Sequence, residues 1–302
     1  MTRSGFIAVA GRPNVGKSTL VNGLVGAKVA VTSDKPQTTR RAIRGIVNGT
    51  RDGEPYQLVL VDLPGVQSPR DELTERMQKR VERELADCDA ALFVINAAER
   101  SGGGDRFIAA ALAAAKLPVV VAVNKVDLAD HAKTAAALAG AGELEEEGVD
   151  VREIVPVSAL KGSGVETLRA ALTAQLPEGP LYFPPEDVSD QPLNVRLAEL
   201  VREAALKRTR EEIPHSIEVH VEDVARREDG LTVVRAVLWV ESNSQKSILI
   251  GRAGAMVRSI GTSARKEIER EVGSRAHLDL TVKVRKGWRR DDGLLDRLGI
   301  EA

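Results

Sequence analysis

Residues Gly11, Arg12, Pro13, Asn14, Val15, Gly16, Lys17 and Ser18 spell GRPNVGKS, and they directly follow the apolar run Phe6, Ile7, Ala8, Val9, Ala10. A buried strand that empties into a glycine-rich turn, with a helix opening near Lys17, points unpaired N–H groups at one place, and anions bind there. That context commits the first part of the chain to an α/β fold with a phosphate cradle at a strand end. Gly11 and Gly16 permit dihedrals and close approaches that a Cβ would block, so main-chain N–H groups can ring the phosphates. Lys17 reaches the β and γ oxygens, Ser18 is left to ligate Mg²⁺, and Thr19 closes the nucleotide-facing run.

Phosphates do not distinguish ATP from GTP, so the base must be read elsewhere. After the strand Val119 to Val123 come Asn124, Lys125, Val126 and Asp127. Asp127 can accept from both N1–H and the exocyclic amine of guanine, whereas adenine presents an acceptor at N1. Asn124 would tie this segment back to the phosphate loop, and the Lys125 stem would lie over the base. Ser158, Ala159 and Leu160, after the short run Ile154 to Val157, read as a second guanine-contacting loop.

Between these segments, Asp62, Leu63, Pro64 and Gly65, followed by Val66, end the apolar run Leu58 to Val61. Asp62 is placed to hold a Mg²⁺-bound water and the Gly65 N–H to contact the γ-phosphate, so this loop senses the third phosphate. Gln37, Thr38, Thr39 and Arg40 lie in the polar stretch from Thr32 to Arg44, and Thr38 or Thr39 completes the Mg²⁺ shell.

A chain of 302 residues suggests two units. The first is expected over 1–176, doubly wound, with helices at 71–86, 104–115 and 165–176 and a solvated helix through the Ala-rich 132–141 and acidic 143–147. Pro177, Gly179, Pro180, Pro184 and Pro185 make 177–190 a linker. Its Leu181, Tyr182 and Phe183 are expected to pack one unit against the other.

From 191 to 302 the pattern changes to α, β, β, α, α, β: a helix over 194–207, alternating strands near 217–221 and 231–237, helices from Gln245 and on to Val272, and a strand near 278–284. Gly251, Arg252, Ala253 and Gly254 join the two central helices. This resembles a KH domain of the bacterial type, an α+β unit in which the GxxG turn clamps the backbone of single-stranded nucleic acid.

Charge agrees locally. The whole chain carries 43 basic and 44 acidic side chains, yet residues 246–290 hold 12 basic against 4 acidic. Phosphate contacts are expected from Arg252, Arg258, Lys283, Lys286 and Arg289, with Trp288 stacking a base or a domain interface. Trp239, in a strand, reads as core.

Cys88 is the single cysteine, which excludes an internal disulfide and points to a reducing cytoplasm. His131, His215, His220 and His277 lack metal-site spacing. No apolar run approaches a membrane span, and the N-terminus enters a strand too soon for a signal peptide.

With both halves read, the chain resembles the Era family of bacterial GTPases with a C-terminal KH domain over residues 5–300. The resemblance implies a GTPase with Lys17, Thr39, Asp62, Gly65 and Asn14 in catalytic roles, Thr39 being preferred because it precedes Arg40. It implies GTP or GDP and Mg²⁺ as ligands. Val66 stands where Ras-like GTPases place a water-orienting glutamine, which implies slow intrinsic turnover, while Asn14 implies a K⁺ ion that supplements the missing charge. The implied partner is single-stranded 16S ribosomal RNA near its 3′ end, and the implied role is maturation of the 30S subunit by a monomeric protein loosely associated with the inner membrane face. Two departures are Leu63, at a non-ligand position, and a GRAG turn with a single cation, which implies weaker backbone affinity than in relatives with two. A constitutive RNA scaffold with a structural first domain and a P-loop enzyme acting on a small metabolite are the competing readings; Asp127 and the absence of an acid/base cluster argue against the latter.

Overall fold

The structure, a computed structural model, describes residues 2–32, 43–63, 79, 81–209 and 213–297, with the side chains of 214, 215, 292, 296 and 297 left aside. Its first sheet contains β1 (Arg3–Ala10), β2 (Ile43–Arg51), β3 (Glu54–Asp62), β4 (Ala90–Asn96), β5 (Pro118–Asn124) and β6 (Asp150–Pro156) in the order β2-β3-β1-β4-β5-β6. All neighbours are parallel except β2, which pairs antiparallel with β3 at the sheet edge.

Near-continuous apolar runs are what strands covered on both faces require, and β1 shows it residue by residue. Ile7 and Val9 point into a core with Leu20 and Leu24 of α1 (Lys17–Val25) and Leu168 and Leu172 of α4 (Val165–Thr173). Ala8 and Ala10 point into the opposite core, with Ile108 and Leu112 of α2 (Gly103–Ala115) and Ala141 of α3 (His131–Gly142). This is the doubly wound fold expected from the sequence, and it gathers the loops after β1, β3, β5 and β6 at one end of the sheet. Of the expected helix over 71–86, only residues from 79 onward fall within the described part, helical at 81–86.

Segment 177–191 does not hang free. It runs along the open edge of the sheet: Ile46 N–H donates to Val188 O at 2.9 Å, and Gly45 and Ser189 form an antiparallel bridge. Buried Gln57 accepts from the Tyr182 and Phe183 N–H groups and donates to Phe183 O. Edge strands need such cover. The expectation that Leu181 and Tyr182 pack between the two units is corrected: both stay exposed, and Tyr182 packs on Phe6 of β1 with ring centroids 4.8 Å apart.

The second unit comprises α5 (Leu193–Leu206), β7 (Glu218–Arg226), β8 (Thr232–Val240), α6 (Asn243–Ile250), α7 (Ala255–Val272), β9 (Ala276–Val284) and α8 (Asp292–Arg297). The sheet order is β7-β8-β9, β7 antiparallel and β9 parallel to β8. Val234, Ala236 and Leu238 of β8 pack against Val201 of α5 and Ile260, Ala264 and Ile268 of α7, spaced one helical turn apart.

Candidate nucleotide site and nucleic-acid interface

The phosphate loop is shaped by its glycines and held by side chains from other elements. Gly16 precedes α1 with φ 101° and Gly11 has φ 154°, both outside the range that side-chain-bearing residues readily adopt. A Cβ on Gly11 would lie 2.5 Å from Val94 O, and one on Gly16 would collide with Asn124. The loop can therefore close around an anion only as glycine. Asn124 Nδ2 donates to Val15 O at 2.8 Å and its Oδ1 accepts from Ala159 N–H at 3.0 Å, so one buried amide ties the phosphate loop, the end of β5 and the Ser158 loop together. Lys125, at φ 65°, donates to Asn14 O at 2.6 Å. The tie read from the sequence is present.

Asp127 is exposed, and Ser158 Oγ donates to its Oδ1 at 2.6 Å. A serine hydroxyl thus fixes an exposed carboxylate, the group that a reader of adjacent guanine donors needs. Ala159 packs against the core and Leu160 is exposed.

Lys17 is buried, and its ammonium donates to Gly11 O at 2.8 Å and Arg12 O at 3.1 Å. Burial pushes its pKa down to about 8, against the opposing pull of the Asp62 carboxylate. Bound phosphates favour the charged form, so nucleotide binding takes up a proton as the pH rises past this value. We expect affinity to fall about fourfold between pH 7 and pH 8.5, following the charged fraction of Lys17 in the free protein. Calorimetry in buffers of different ionisation enthalpy checks this; affinity independent of pH with no proton uptake would contradict it.

Ser18 Oγ donates to Asp62 Oδ2 at 2.7 Å, and Asp62 is fully buried. Two hard oxygen donors meeting beside the phosphate cradle suit Mg²⁺, so Ser18 and Asp62 would hold that ion, one directly and one through its water. Its third expected ligand, Thr39, lies outside the described residues, as do Thr38, Pro64, Gly65 and Val66.

The Arg12 side chain turns away from the cradle and pairs with Asp105 and Glu99, so only its backbone can face a nucleotide. Neither carboxylate belongs to a recognisable motif. The sole sequence signal was Asp105 three residues after Gly102, the spacing of a helix cap.

In the second unit, α6 opens with a capping box: Gln245 N–H donates to Ser242 Oγ, and Gln245 Oε1 accepts from Ser242 N–H. It ends at Gly251, φ 71°, and α7 begins after Gly254, φ 76°. Between them Ala253 takes φ 50°, and Arg258 Nη2 donates to its carbonyl at 2.8 Å, bracing the turn. The turn opens into a groove of about 460 Å³ between α7 and β9, lined among others by Arg258, Arg265, His277 and Asp279. Helix N-terminal N–H groups, a glycine turn and flanking arginines are the features that a phosphate-binding edge needs.

Arg252, Lys283 and Lys286 are exposed on this unit, Arg289 is partly exposed, and Lys283 pairs with Glu222 at 3.4 Å. The assignment of Trp288 to RNA is overturned. It is fully buried, packed with Leu294 and Leu295, and its Nε1 donates to Ser216 O at 3.1 Å. The more accessible tryptophan is Trp239, stacked on His220 at 5.7 Å with the Arg285 guanidinium 5.8 Å from its ring centre. No cluster of three or more metal-ligating side chains occurs among the described residues, and no described helix is long and apolar enough to cross a membrane.

These features agree with what the chain resembles. The family model described as a 50S ribosome-binding GTPase matches residues 6–125, and the KH domain model matches residues 212–289. GTPase Era of Mycobacterium tuberculosis is 47% identical over 301 residues, 98% of each chain, and GTPase Era of Mycolicibacterium smegmatis is 46% identical over the same share. The crystal structure of an Aquifex aeolicus Era variant bound to GDP and AlF4⁻ superposes with a TM-score of 0.93 at 34% identity, covering 99% of this chain and all of that one. Era in complex with MgGDPNP and nucleotides 1506–1542 of 16S ribosomal RNA gives 0.92 at 34% identity, covering all of both. A glycine phosphate loop and a KH domain in one chain, together with 47% identity to a GTPase Era over 98% of both chains, show that the protein belongs to the Era family of GTPases.

Proposed function

We propose that the protein is a GTP-hydrolysing switch that binds the 3′ end of 16S ribosomal RNA through the groove between α7 and β9 and assists maturation of the 30S subunit. GTP and Mg²⁺ occupy the cradle around Lys17, Ser18 and Asp62, in keeping with the MgGDPNP and GDP–AlF4⁻ ligands of its relatives. The observation that carries the switch is the seating of the 177–191 segment on β2. Ile43 and Arg44, at the start of that strand, pair with Asp62 and Val61 of β3. Arg44 then bonds Asp190 at 3.1 Å, just before α5, and approaches Glu84 at 3.6 Å. Asp62 is thus linked to the chain that leads into the RNA-binding unit by one strand pair, one backbone step and one ion pair. A second tie is Lys28, whose ammonium lies 2.8 Å from buried Glu203 of α5 and 3.4 Å from Glu267 of α7.

RNA binding is tested by titrating the full chain, loaded with a non-hydrolysable GTP analogue, with single-stranded RNA of the 16S 3′ end and with a scrambled control at one salt concentration. Preference for the first supports this reading, and equal binding contradicts it.

Asn14, exposed and at φ 64°, lies in the phosphate loop, where a K⁺ ion would supply positive charge. Turnover is slow without it. We expect turnover at least several-fold faster in KCl than in equimolar NaCl, because a positive charge beside the transferring phosphoryl group stabilises the charge that develops there. Equal rates remove the ion from the mechanism. The protein works in the cytoplasm as a monomer, and the basic surface of 246–290 gives it weak affinity for an anionic membrane face.

A further inference from the structure

We propose that Asp105, assisted by Glu99, is a positioning residue for nucleotide binding: it holds Arg12, and through Arg12 the first half of the phosphate loop, in the shape that receives phosphates. Arg12 Nε donates to Asp105 Oδ1 at 2.8 Å and Arg12 Nη2 to Glu99 Oε2 at 3.1 Å. Asp105 is 2% exposed, and its other oxygen accepts from Gly102 N–H at 3.0 Å, so it anchors Arg12 from a fixed point at the start of α2. Glu99 is in turn held by Asn96 Nδ2 at 2.6 Å. Gly104 makes the contact possible, since a Cβ there would lie 2.8 Å from Arg12 Cδ.

The anchored end is tied to the rest of the phosphate cradle, because the Arg12 carbonyl is one of the two that hold the Lys17 ammonium. The same segment reaches the base side, where Ala97 N–H donates to Asn124 O at 2.8 Å. Behind it lies a cavity of about 450 Å³ bounded by Ala132, Ala136 and Gly140 of α3. Small side chains there give the exposed residues 99–101 little packing on that side, so the polar clamp fixes their position. Of the two pairs, Asp105 carries the larger effect: it is buried, whereas the Glu99 side chain is 54% exposed and its pair is screened.

The clamp touches neither the γ-phosphate position nor the attacking water. Its loss therefore weakens GDP and GTP alike and leaves the chemical step alone. The test uses the full chain, with fluorescent GDP and GTP-analogue titrations beside steady-state kinetics. Asp105→Asn, which keeps an acceptor for Gly102 N–H but loses the charge facing Arg12, is expected to raise both dissociation constants and KM by the same factor, about tenfold, with kcat within about twofold. Arg12→Lys recovers part of the affinity lost in Arg12→Gln. The double variant Arg12→Gln/Asp105→Asn binds no worse than Arg12→Gln alone, because both remove one interaction. Unchanged affinity with a lowered Tm would reduce Asp105 to a helix cap and overturn the proposal, as would additive losses in the double variant. Should Asp105→Asn fail to fold, Glu99→Gln reads the exposed half of the clamp: a smaller equal rise for both nucleotides supports the proposal, and no rise overturns it.

Discussion

Asp127→Ala lowers GTP affinity by more than a hundredfold and leaves the weak affinity for ATP unchanged. As the reader of guanine, the carboxylate would accept two charge-assisted hydrogen bonds, each contributing about 1.5–3 kcal/mol. Their joint loss of about 3–6 kcal/mol corresponds to roughly two to four decades in Kd. Ser158 makes the expectation sharp, because its 2.6 Å hydrogen bond holds Asp127 in place before any ligand arrives and little ordering cost remains at binding. Asp127→Asn goes further by placing an amide donor where guanine also donates; a base with a 2-oxo group, such as xanthine, becomes the better ligand. Competition titrations with GTP, XTP and ATP check both variants. Similar losses for GTP and ATP would show that Asp127 supports the loop and does not read the base.

The second large effect lies at the other end of the molecule. Gly254→Asp is expected to weaken single-stranded RNA binding by about a hundredfold, roughly 2.7 kcal/mol, without altering nucleotide affinity. Gly254 sits at φ 76°, a conformation costing an L-residue about 1–2 kcal/mol. The space beside it is open, the nearest atom to an added Cβ being Arg258 Nη2 at 3.6 Å. The variant can therefore fold, and it then presents a carboxylate where an RNA phosphate meets the first N–H groups of α7. Fluorescence anisotropy at several salt concentrations reads it: affinity falls, and the salt slope flattens as a phosphate contact is lost. Unchanged RNA affinity would place the binding surface away from the GxxG turn.

Much of this was legible because local pattern and tertiary role coincide. The runs before Gly11, Asp62 and Asn124 are buried on both faces, so the unbroken apolar signal belongs to central strands, and the chemistry-bearing residues follow at their ends. The edge strand β2 was not legible. Ile43–Arg51 contains two glycines, an asparagine and two arginines, and it is a strand because nine residue pairs join it to β3 and the linker covers its other side. Trp288 misled for a related reason. Its cationic neighbours suggested a stacking platform, while its indole bonds to Ser216, far away in sequence. Arg12 likewise lies within a phosphate motif yet serves a helix that no local pattern connects to it.

In the proposed switch, nucleotide state and RNA binding are coupled through the 177–191 segment and the Lys28 and Arg44 ion pairs. The coupling is tested most directly by the equilibrium affinity for single-stranded RNA of the 16S 3′ end at one fixed salt concentration, with the protein loaded with GDP or with a non-hydrolysable GTP analogue. Tighter binding in the GTP form by about tenfold, roughly 1.4 kcal/mol of coupling, is the expected result. Equal affinities would contradict it and leave the KH domain a constitutive anchor.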